Sequence, residues 1–280
     1  MKIVSTIWKW MFPAAKAKDE YKNDFIKELF ESAMREVSYL GYHYAENFRF
    51  SAPPFYDSPE EMIEIQDKYD CKLINLYHHF LPTAEEDYIE VEKAAAFLEK
   101  IGGESINIQC PVWRVLPHER PFDKEIVDDY IIRANRIADI CASHGLTVAL
   151  HPHANSNIFH ADHIEYFVDH VDTSKVKLCF DTAHLQLGGM DPIETIDKYG
   201  DLIGYMHLKD IDPDDTLNPE WPMKRFRALG QGCIDFRAVL KTLKNHNYDG
   251  ALSVELDYPV ICNYQSAQWN REYIRNVLNL

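Results

Sequence analysis

The sequence lacks any long run of apolar residues. None of its 280 residues lies in an uninterrupted apolar stretch of about 20 residues, the length that crosses a bilayer. Residues 1–10 alternate in polarity and do not form the apolar core of a signal peptide. No low-complexity segment, linker or run of like charges divides the chain. These absences exclude a membrane-spanning protein and predict one domain over residues 1–280.

Basic residues are scarce. The chain has 29 Lys and Arg residues against 45 Asp and Glu residues, which gives a formal net charge of −16. Such a charge repels polyanions, so it argues against nucleic acid or an anionic membrane as the main partner. It leaves room for a small phosphorylated substrate held by a local Lys or Arg. The expected partner is a small molecule.

Paired cysteines are also absent. The six cysteines form no CxxC motif and no close pair, and Cys110 and Cys179 fall inside predicted strands. A free thiol in a strand packs as a small hydrophobic group. This usage is typical of a reducing compartment and predicts a cytoplasmic protein.

Strand-like and helix-like segments alternate along the whole chain. Eight strand-like stretches are separated by helical patterns, at 2–10, 42–48, 72–80, 105–113, 147–153, 176–184, 204–210 and 251–257. Such alternation predicts parallel βαβ units, and eight units close a (β/α)8 TIM barrel. A doubly wound open sheet is the alternative, but its function would lie in one crevice. Polar residues end nearly every predicted strand here, which favours the barrel.

Four consecutive strands end in residues that bind metal ions. Their aliphatic side chains occupy one face, and the opposite face presents His151, Asp181, His207 and Glu255 near the carboxyl ends. A single histidine at a strand end is commonly structural, but four such groups at equivalent positions are harder to explain in that way. Two imidazoles and two carboxylates suit Mn, Zn, Co or Fe better than Ca or Mg. We therefore predict one divalent metal ion bound by these four residues.

Three further residues are candidates for catalysis or substrate contact beside the metal. His153 shares the face of His151 and is expected to act as general base or acid, or else to support a ligand. Lys209 shares the face of His207 and could stabilise an enolate oxygen, or else form a surface salt bridge with Asp210. His184, three residues after Asp181, is expected to contact the substrate or to cap its loop.

The remaining candidates form the wall opposite the metal. Glu46, His79 and Gln109 end the second, third and fourth strands, and strand parity directs His79 inward rather than His78. Arg227 lies in the loop before Gly230 and could hold an anionic or hydroxyl group. An apolar floor for a sugar ring, or simple core packing, is the expected role of three tryptophans, Trp8, Trp10 and Trp113.

Several motifs resemble those of the xylose-isomerase-like TIM barrels, which include sugar isomerases, epimerases, inosose dehydratases and AP endonucleases. The motifs are Phe180-Asp181-Thr182-Ala183-His184, Asp191-Pro192, His207-Leu208-Lys209-Asp210, Leu229-Gly230-Gln231-Gly232 and Val254-Glu255-Leu256-Asp257. The resemblance runs from the first strand to the last helix and is specific from His151 onward.

The resemblance implies a reaction class. The family usually binds its metal through Glu, Asp, His and Glu, and Asp181, His207 and Glu255 match the last three positions. His151 replaces the first glutamate, within a His-Pro-His sequence similar to that of inosose dehydratases. A mechanism in which two glutamates exchange a proton on opposite faces of the substrate then lacks its first glutamate. Glu255 or His153 can still act as the base. The resemblance thus implies β-elimination from a keto-sugar or inosose-like polyol, with Mn ahead of Zn, Co or Fe.

Three alternatives differ in function. Sugar isomerisation or epimerisation is the first alternative, because it uses the same enolate step. An AP endonuclease is disfavoured, because no histidine lies between His207 and His246 for its trinuclear site and the net charge is wrong for DNA. A non-catalytic metal-binding subunit of a complex would bind metal without exchanging protons at carbon. Barrels of this family often pair, so a homo-oligomer is also compatible with the resemblance.

Overall fold

A computed structural model describes most of the chain. It covers residues 1–16, 18–19, 22–114, 121–214, 216–217, 220–255, 257–258 and 261–280, without the side chains of residues 15 and 16. Leu256, part of a motif quoted above, lies outside the described residues. All six cysteines are described and are free thiols.

Eight parallel strands form a closed barrel. They are Lys2–Thr6 (β1), Tyr44–Phe48 (β2), Lys72–His79 (β3), Ser105–Gln109 (β4), Thr147–Leu150 (β5), Val176–Asp181 (β6), Ile203–Leu208 (β7) and Ala251–Val254 (β10). Val4 of β1 is paired with Tyr44 of β2 on one side and with Ser253 of β10 on the other, which closes the sheet. The prediction of a (β/α)8 barrel is confirmed, and the open-sheet alternative is wrong.

Helices connect successive barrel strands. The described residues form Lys22–Tyr39 (α1), Pro59–Tyr69 (α2), Ala84–Ile101 (α3), Lys124–Ser143 (α4), Ala161–His170 (α5), Thr182–Leu187 (α6), Pro192–Tyr199 (α7), Phe236–Asn245 (α8) and Asn263–Tyr273 (α9). The 3-10 segments are Trp8–Lys16, Arg49–Ser51, Pro53–Phe55, Gly200–Leu202 and Pro222–Arg225, and a π-helical turn spans Ile274–Leu278. Within this part of the chain, no helix combines the length and apolar character needed to span a bilayer.

Helix boundaries follow local capping chemistry. Thr83 begins α3 with a capping box, because its hydroxyl accepts from the Glu86 backbone N–H at 3.3 Å and the Glu86 carboxylate accepts from the Thr83 N–H at 3.1 Å. Gly102 ends the same helix with a φ of 78°, a conformation that glycine adopts without strain. Asp123 begins α4 as a simple N-cap, because its carboxylate accepts a hydrogen bond from the Ile126 N–H.

The strand alternation places two kinds of side chain on opposite faces. Outward residues such as Leu178 and Phe180 of β6 are buried in the main hydrophobic core with the helices. Inward residues such as Tyr77, Ala149 and Cys179 fill the barrel interior. Tyr77 and Cys179 contact each other at 3.2 Å across the barrel. The barrel is therefore packed below the polar groups at its carboxyl end.

Asp210 anchors the loop that follows β7. Residues Asp210–Ile211 (β8) pair antiparallel with Phe226–Arg227 (β9). The Asp210 carboxylate accepts from the backbone N–H groups of Gly230, Gly232 and Ile234 at 2.8–3.1 Å. The suggested surface salt bridge between Lys209 and Asp210 is therefore wrong, since Asp210 binds backbone and Lys209 pairs with other acids.

Candidate metal centre and active site

Asp181 is held at the end of β6 by the helix that follows it. One carboxylate oxygen, Oδ1, caps α6 by accepting from the N–H groups of Ala183 at 2.8 Å and His184 at 3.0 Å. The other oxygen, Oδ2, is buried without a hydrogen bond and lies 3.1 Å from Lys209 Nζ. The cap thus fixes the carboxylate so that one oxygen is available to a cation.

His207 of β7 lies between two carboxylates. Its Nε2 atom is 2.9 Å from Glu46 Oε1, and its Nδ1 atom is 3.1 Å from Glu255 Oε2. Burial opposes a charge on this ring, but the two glutamates outweigh it and raise the pKa of His207 to about 10. Ligand atoms of Asp181, His207 and Glu255 all lie within 4.8 Å of one another. Three of the four predicted ligands are thus brought together.

Lys209 is buried among three carboxylates. Its Nζ atom lies 3.1 Å from Asp181, 2.8 Å from Glu255 and 2.8 Å from Asp257. Burial disfavours the ionised form of Glu255, yet the Lys209 charge and the His207 contact lower its pKa well below the usual value. The same carboxylates overcome burial of the ammonium and raise the pKa of Lys209. Lys209 and Glu255 are therefore both charged.

The fourth predicted ligand, His151, belongs to a neighbouring histidine group. One ring nitrogen from each of His151, His153 and His184 lies within 4.8 Å of the other two, and the His151 ring centroid is 5.3 Å from that of His207. The His151 Nδ1–H donates to the Cys179 carbonyl at 3.1 Å, which leaves Nε2 unprotonated in the neutral ring. Burial lowers the pKa of His151 well below its usual value, which favours that neutral form.

His153 and His184 present different nitrogens to their surroundings. The His153 Nδ1–H donates to the Ala154 carbonyl at 2.7 Å, so Nε2 is an unprotonated base. His184 Nδ1 instead accepts from the Ala154 N–H at 3.2 Å, so its neutral ring carries the proton on Nε2. That Nε2 is buried with no partner among the described residues. His184 is therefore suited to donate a hydrogen bond rather than to bind metal.

The donor set fits a divalent metal ion. Asp181 Oδ2 has no hydrogen bond, and His151 has a free Nε2 close to the His207 ring. Together with Glu255 these groups supply the imidazole and carboxylate ligands that Zn, Mn, Fe and Co take in proteins. The backbone hydrogen bond to His151 Nδ1 is the usual device that orients such a ligand.

A cavity of about 330 Å³ opens above these groups. Among the predicted site residues, its lining contains Glu46, His79, Gln109, His151, His153, His207 and Glu255. Burial lowers the pKa of His79 to about 4, so this wall residue is neutral. The buried His78 faces the other way and contacts Asp87 at 2.8 Å.

Other predicted residues are not part of this lining. Asp181, His184 and Lys209 are buried behind it, and Arg227 contacts Asp212 at 3.2 Å and two backbone carbonyls instead. Of the three tryptophans, only Trp8 lines the cavity, where its indole N–H donates to Glu255 at 2.6 Å. Trp10 donates to Glu36 at 2.8 Å.

Sequence reasoning missed three charged residues of the site. Lys9 and Arg114 line the cavity, and Asp257 lines it while pairing with Lys209. The sequence could have predicted Asp257, because it lies two residues after Glu255 and would point to the same side if the strand continued. Lys9 and Arg114 lie beyond the ends of β1 and β4. The strand alternation therefore does not predict which way their side chains point.

Comparison with known proteins identifies relatives with the same architecture. Residues 34–277 match the family model of the xylose isomerase-like TIM barrel. An inosose dehydratase from Geobacillus kaustophilus (strain HTA426) is 32% identical over 156 residues, which are 52% of this chain and 51% of that protein. The chain therefore spans about half the length of this relative.

Three solved structures share the fold over almost all of the chain. The probable 3-DHS dehydratase AsbF of Bacillus anthracis has a TM-score of 0.76 at 15% identity, with 99% of this chain and 100% of that chain covered. The IOLI protein, solved with a zinc atom, has a TM-score of 0.74 at 18% identity, with 100% and 98% covered. A D-allulose 3-epimerase from Methylomonas sp. has a TM-score of 0.74 at 17% identity, with 99% and 96% covered.

The family model covers most of the chain, and the closed barrel agrees with it. The resemblance inferred from the strand-end motifs is thereby confirmed. This chain belongs to the xylose isomerase-like TIM barrel family.

Proposed function

We propose that the protein is a metal-dependent carbohydrate lyase that removes water from a keto-sugar or inosose-like polyol. The observation that carries this proposal is the cluster of Asp181, His207 and Glu255 beneath a cavity that His153 also lines. The inosose dehydratase relative supports elimination over other chemistries of the fold. The six free thiols support a reducing compartment such as the cytoplasm.

In this proposal His151, Asp181, His207 and Glu255 hold one divalent ion, with Mn placed ahead of Zn, Co or Fe. The zinc atom of the IOLI protein shows that a metal is held by another protein of this fold. When bound, such an ion polarises a carbonyl and acidifies the neighbouring C–H group. The negative charge of the carboxylates around Lys209 favours binding of a cation.

His153 is the proposed general base. Its Nδ1–H donates to the Ala154 carbonyl, which turns the basic Nε2 atom away from the backbone. His153 takes the proton from the carbon next to the carbonyl, and the C–H electron pair forms an enolate. The enolate then expels the β-hydroxyl, which takes a proton from the protonated His153 and leaves as water. Glu255 is the alternative base, because it lines the same cavity.

Other residues bind and orient the substrate in this scheme. Glu46, His79 and Gln109 provide acceptors and donors for hydroxyl groups on the opposite wall. His184 lies behind the cavity wall beside His153, with the two ring centroids 4.0 Å apart, and helps to orient that base. Lys209 places a positive charge beside Asp181 and Glu255 and offsets the negative charge of the enolate. Arg227 is proposed to reach an anionic substrate group only if its contact with Asp212 opens.

A second candidate function is sugar isomerisation or epimerisation. Glu46 and Glu255 lie on either side of His207, and both line the cavity. Such a pair can exchange a proton on opposite faces of a carbon, as a two-carboxylate mechanism requires. The family usually has a second glutamate where this chain has His151, after β5. In this arrangement Glu46 of β2 provides the second glutamate instead.

One experiment distinguishes these functions. Metal-loaded protein is incubated with keto-sugars and inososes in heavy water, and products are analysed by NMR and mass spectrometry. A new unsaturated product supports the lyase, whereas deuterium at one carbon without loss of water supports the isomerase. If no substrate exchanges or reacts, both proposals fail and a non-catalytic metal-binding subunit becomes the better interpretation. An Asp181→Asn variant, loaded identically, controls for exchange that does not depend on the site.

A further inference from the structure

The cavity lining divides into a buried polar part and an exposed aromatic part. Glu46, His151, His207 and Glu255, which lie near the proposed metal, are at most 8% exposed. Aromatic residues form much of the rest of the wall, together with Lys9 and Arg114, and Phe12 and Phe50 are 51% and 53% exposed. The polar part is therefore deep and the aromatic part lies at the opening. We call the latter the aromatic collar, formed by Trp8, Phe12, Phe48, Phe50, Trp221 and Tyr258.

The rings of the collar support one another. Trp8 packs edge-to-face against Phe12 and Phe48, with centroid distances of 4.9 and 5.2 Å. Phe48 stacks on Phe50 at 5.5 Å with an interplanar angle of 14°. Contacts of this geometry stabilise aromatic groups beyond the area they bury. The rings therefore form a continuous surface around the opening.

Lys9 adds a positive charge to this surface. Its Nζ atom lies 4.1 Å from the centroid of Trp8, 4.4 Å from Phe12 and 5.0 Å from Tyr258. The ammonium is thus attracted to three ring faces and holds them around one point. Trp221 donates a hydrogen bond to the Tyr258 hydroxyl, which fixes the far side of the opening.

Folding alone does not account for the exposed rings. Phe12, Phe50 and Tyr258 keep at least 36% of their surface in water, so they gain little from burial in the barrel. Exposed apolar groups that gather at one site mark a binding surface. The cavity volume of about 330 Å³ lies near the lower end of the range of about 300–1,000 Å³ found for small-molecule sites.

We propose that the aromatic collar binds a flat apolar group carried by the substrate, so that the enzyme acts on an aryl glycoside rather than on a free monosaccharide. The oxidised sugar ring enters the polar part, and the aryl aglycone stacks between the rings at the opening. This inference rests on the proposed carbohydrate chemistry and narrows its substrate class. It requires no further catalytic group.

A binding experiment tests the collar without requiring turnover. Metal-loaded protein is titrated by calorimetry with phenyl β-D-glucoside and with methyl β-D-glucoside, neither of which carries the keto group needed for reaction. We expect the phenyl glycoside to bind about tenfold more tightly, as stacking on aromatic rings predicts. In the Phe12→Ala/Phe50→Ala double variant this preference should fall below about threefold. The control variant Ile132→Ala removes an exposed apolar side chain from α4 and should leave the preference unchanged.

Three results would overturn the collar as a substrate subsite. One is equal or undetectable binding of the two glycosides, and another is a preference that survives in the double variant. The third is a dimer of the wild-type protein that dissociates in the double variant, measured by light scattering, because the collar would then be an interface between copies. Turnover of a free inosose without a phenyl preference rejects only the collar. A phenyl preference without reaction on any keto-sugar or inosose rejects only the proposed chemistry.

Discussion

The Lys209 ammonium lies 2.8 Å from the Glu255 carboxylate, and both groups are buried at the carboxyl end of the barrel. The same ammonium contacts Asp181 and Asp257. Lys209 and the neighbouring His207 together face four carboxylates, those of Glu46, Asp181, Glu255 and Asp257, so the negative charge is only partly compensated within the chain. A divalent cation next to Asp181 and Glu255 would complete the compensation, which links the stability of this region to metal binding.

Replacing Lys209 with methionine should destabilise the metal-free protein. The variant leaves buried carboxylates without their cation, a change that typically costs about 3–5 kcal/mol in the free energy of unfolding. Addition of Mn or Zn should restore part of this loss. Thermal and denaturant unfolding with and without metal provide the measurement.

Lys175→Met serves as the matched control. Lys175 pairs with Asp139 at 2.9 Å, but both side chains are more than two-fifths exposed. Its loss should change stability by less than about 1 kcal/mol. A Lys209→Met protein as stable as this control would contradict the assigned charge balance.

Asp181→Asn should abolish metal-dependent turnover while preserving the fold. Asparagine keeps the oxygen that caps α6 but replaces the carboxylate oxygen beside Lys209 with an amide nitrogen. Bound metal, measured by mass spectrometry after dialysis, should fall at least about tenfold, in line with the loss of a charged ligand.

Asp191→Asn isolates the capping effect. Asp191 caps α7 through Ile193 and Glu194 in the same geometry and is exposed away from the cavity. This variant should retain metal and activity. Full activity in Asp181→Asn would refute the proposed metal site.

His153→Gln should lower kcat by about 10²–10⁴-fold, the range usually lost with a general base. Glutamine can retain the hydrogen bond to the Ala154 carbonyl but cannot accept a proton. KM should change little, and solvent deuterium exchange should fall with kcat. His170→Gln, on the exposed end of α5, is the control. Unchanged exchange in His153→Gln would move the base role to Glu255.

His144 should contribute stability that depends on pH. The His144 ring donates hydrogen bonds to Glu99 at 2.7 Å and to Glu92 at 2.9 Å, and these raise the pKa of His144 above its usual value. A raised folded-state pKa stabilises the protein below the unfolded pKa of about 6.5, and this contribution disappears as pH rises through the folded value. His144→Gln should therefore lose up to about 1 kcal/mol near pH 6 and much less near pH 9.

Denaturant unfolding of both proteins across this pH range measures the difference. The double variant Glu92→Gln/Glu99→Gln removes the partners and should show the same pH dependence as His144→Gln. A destabilisation that grows towards high pH would contradict the sign of the shift.

Local patterns predicted much of this structure. The alternation in β6 directed Leu178 and Phe180 to the helices, where the structure buries them. Parity likewise separated His79, which lines the cavity, from His78, which faces away from it. These predictions succeed because side chains in a strand alternate with a period of two residues, a property of the local backbone.

The contacts made by the side chains of the site were less predictable from the sequence. The sequence suggested Asp210 as the partner of Lys209, but Asp210 is adjacent on the chain and its carboxylate is taken by three N–H groups of the 230–234 loop. The hydrogen bond from Trp8 to Glu255 joins residues 247 positions apart. It exists because β1 pairs with β10 when the barrel closes.

The sequence by itself determined the order of strands and helices, the inward direction of the strand-end polar groups and the donor types for a metal. Only the tertiary structure decided that Lys209 is buried between Asp181, Glu255 and Asp257 and that exposed rings surround the opening. The physical reason is the distance along the chain over which each effect acts. Periodicity and capping act over a few residues, whereas charge pairing and cavity shape depend on which chain ends meet when the barrel closes.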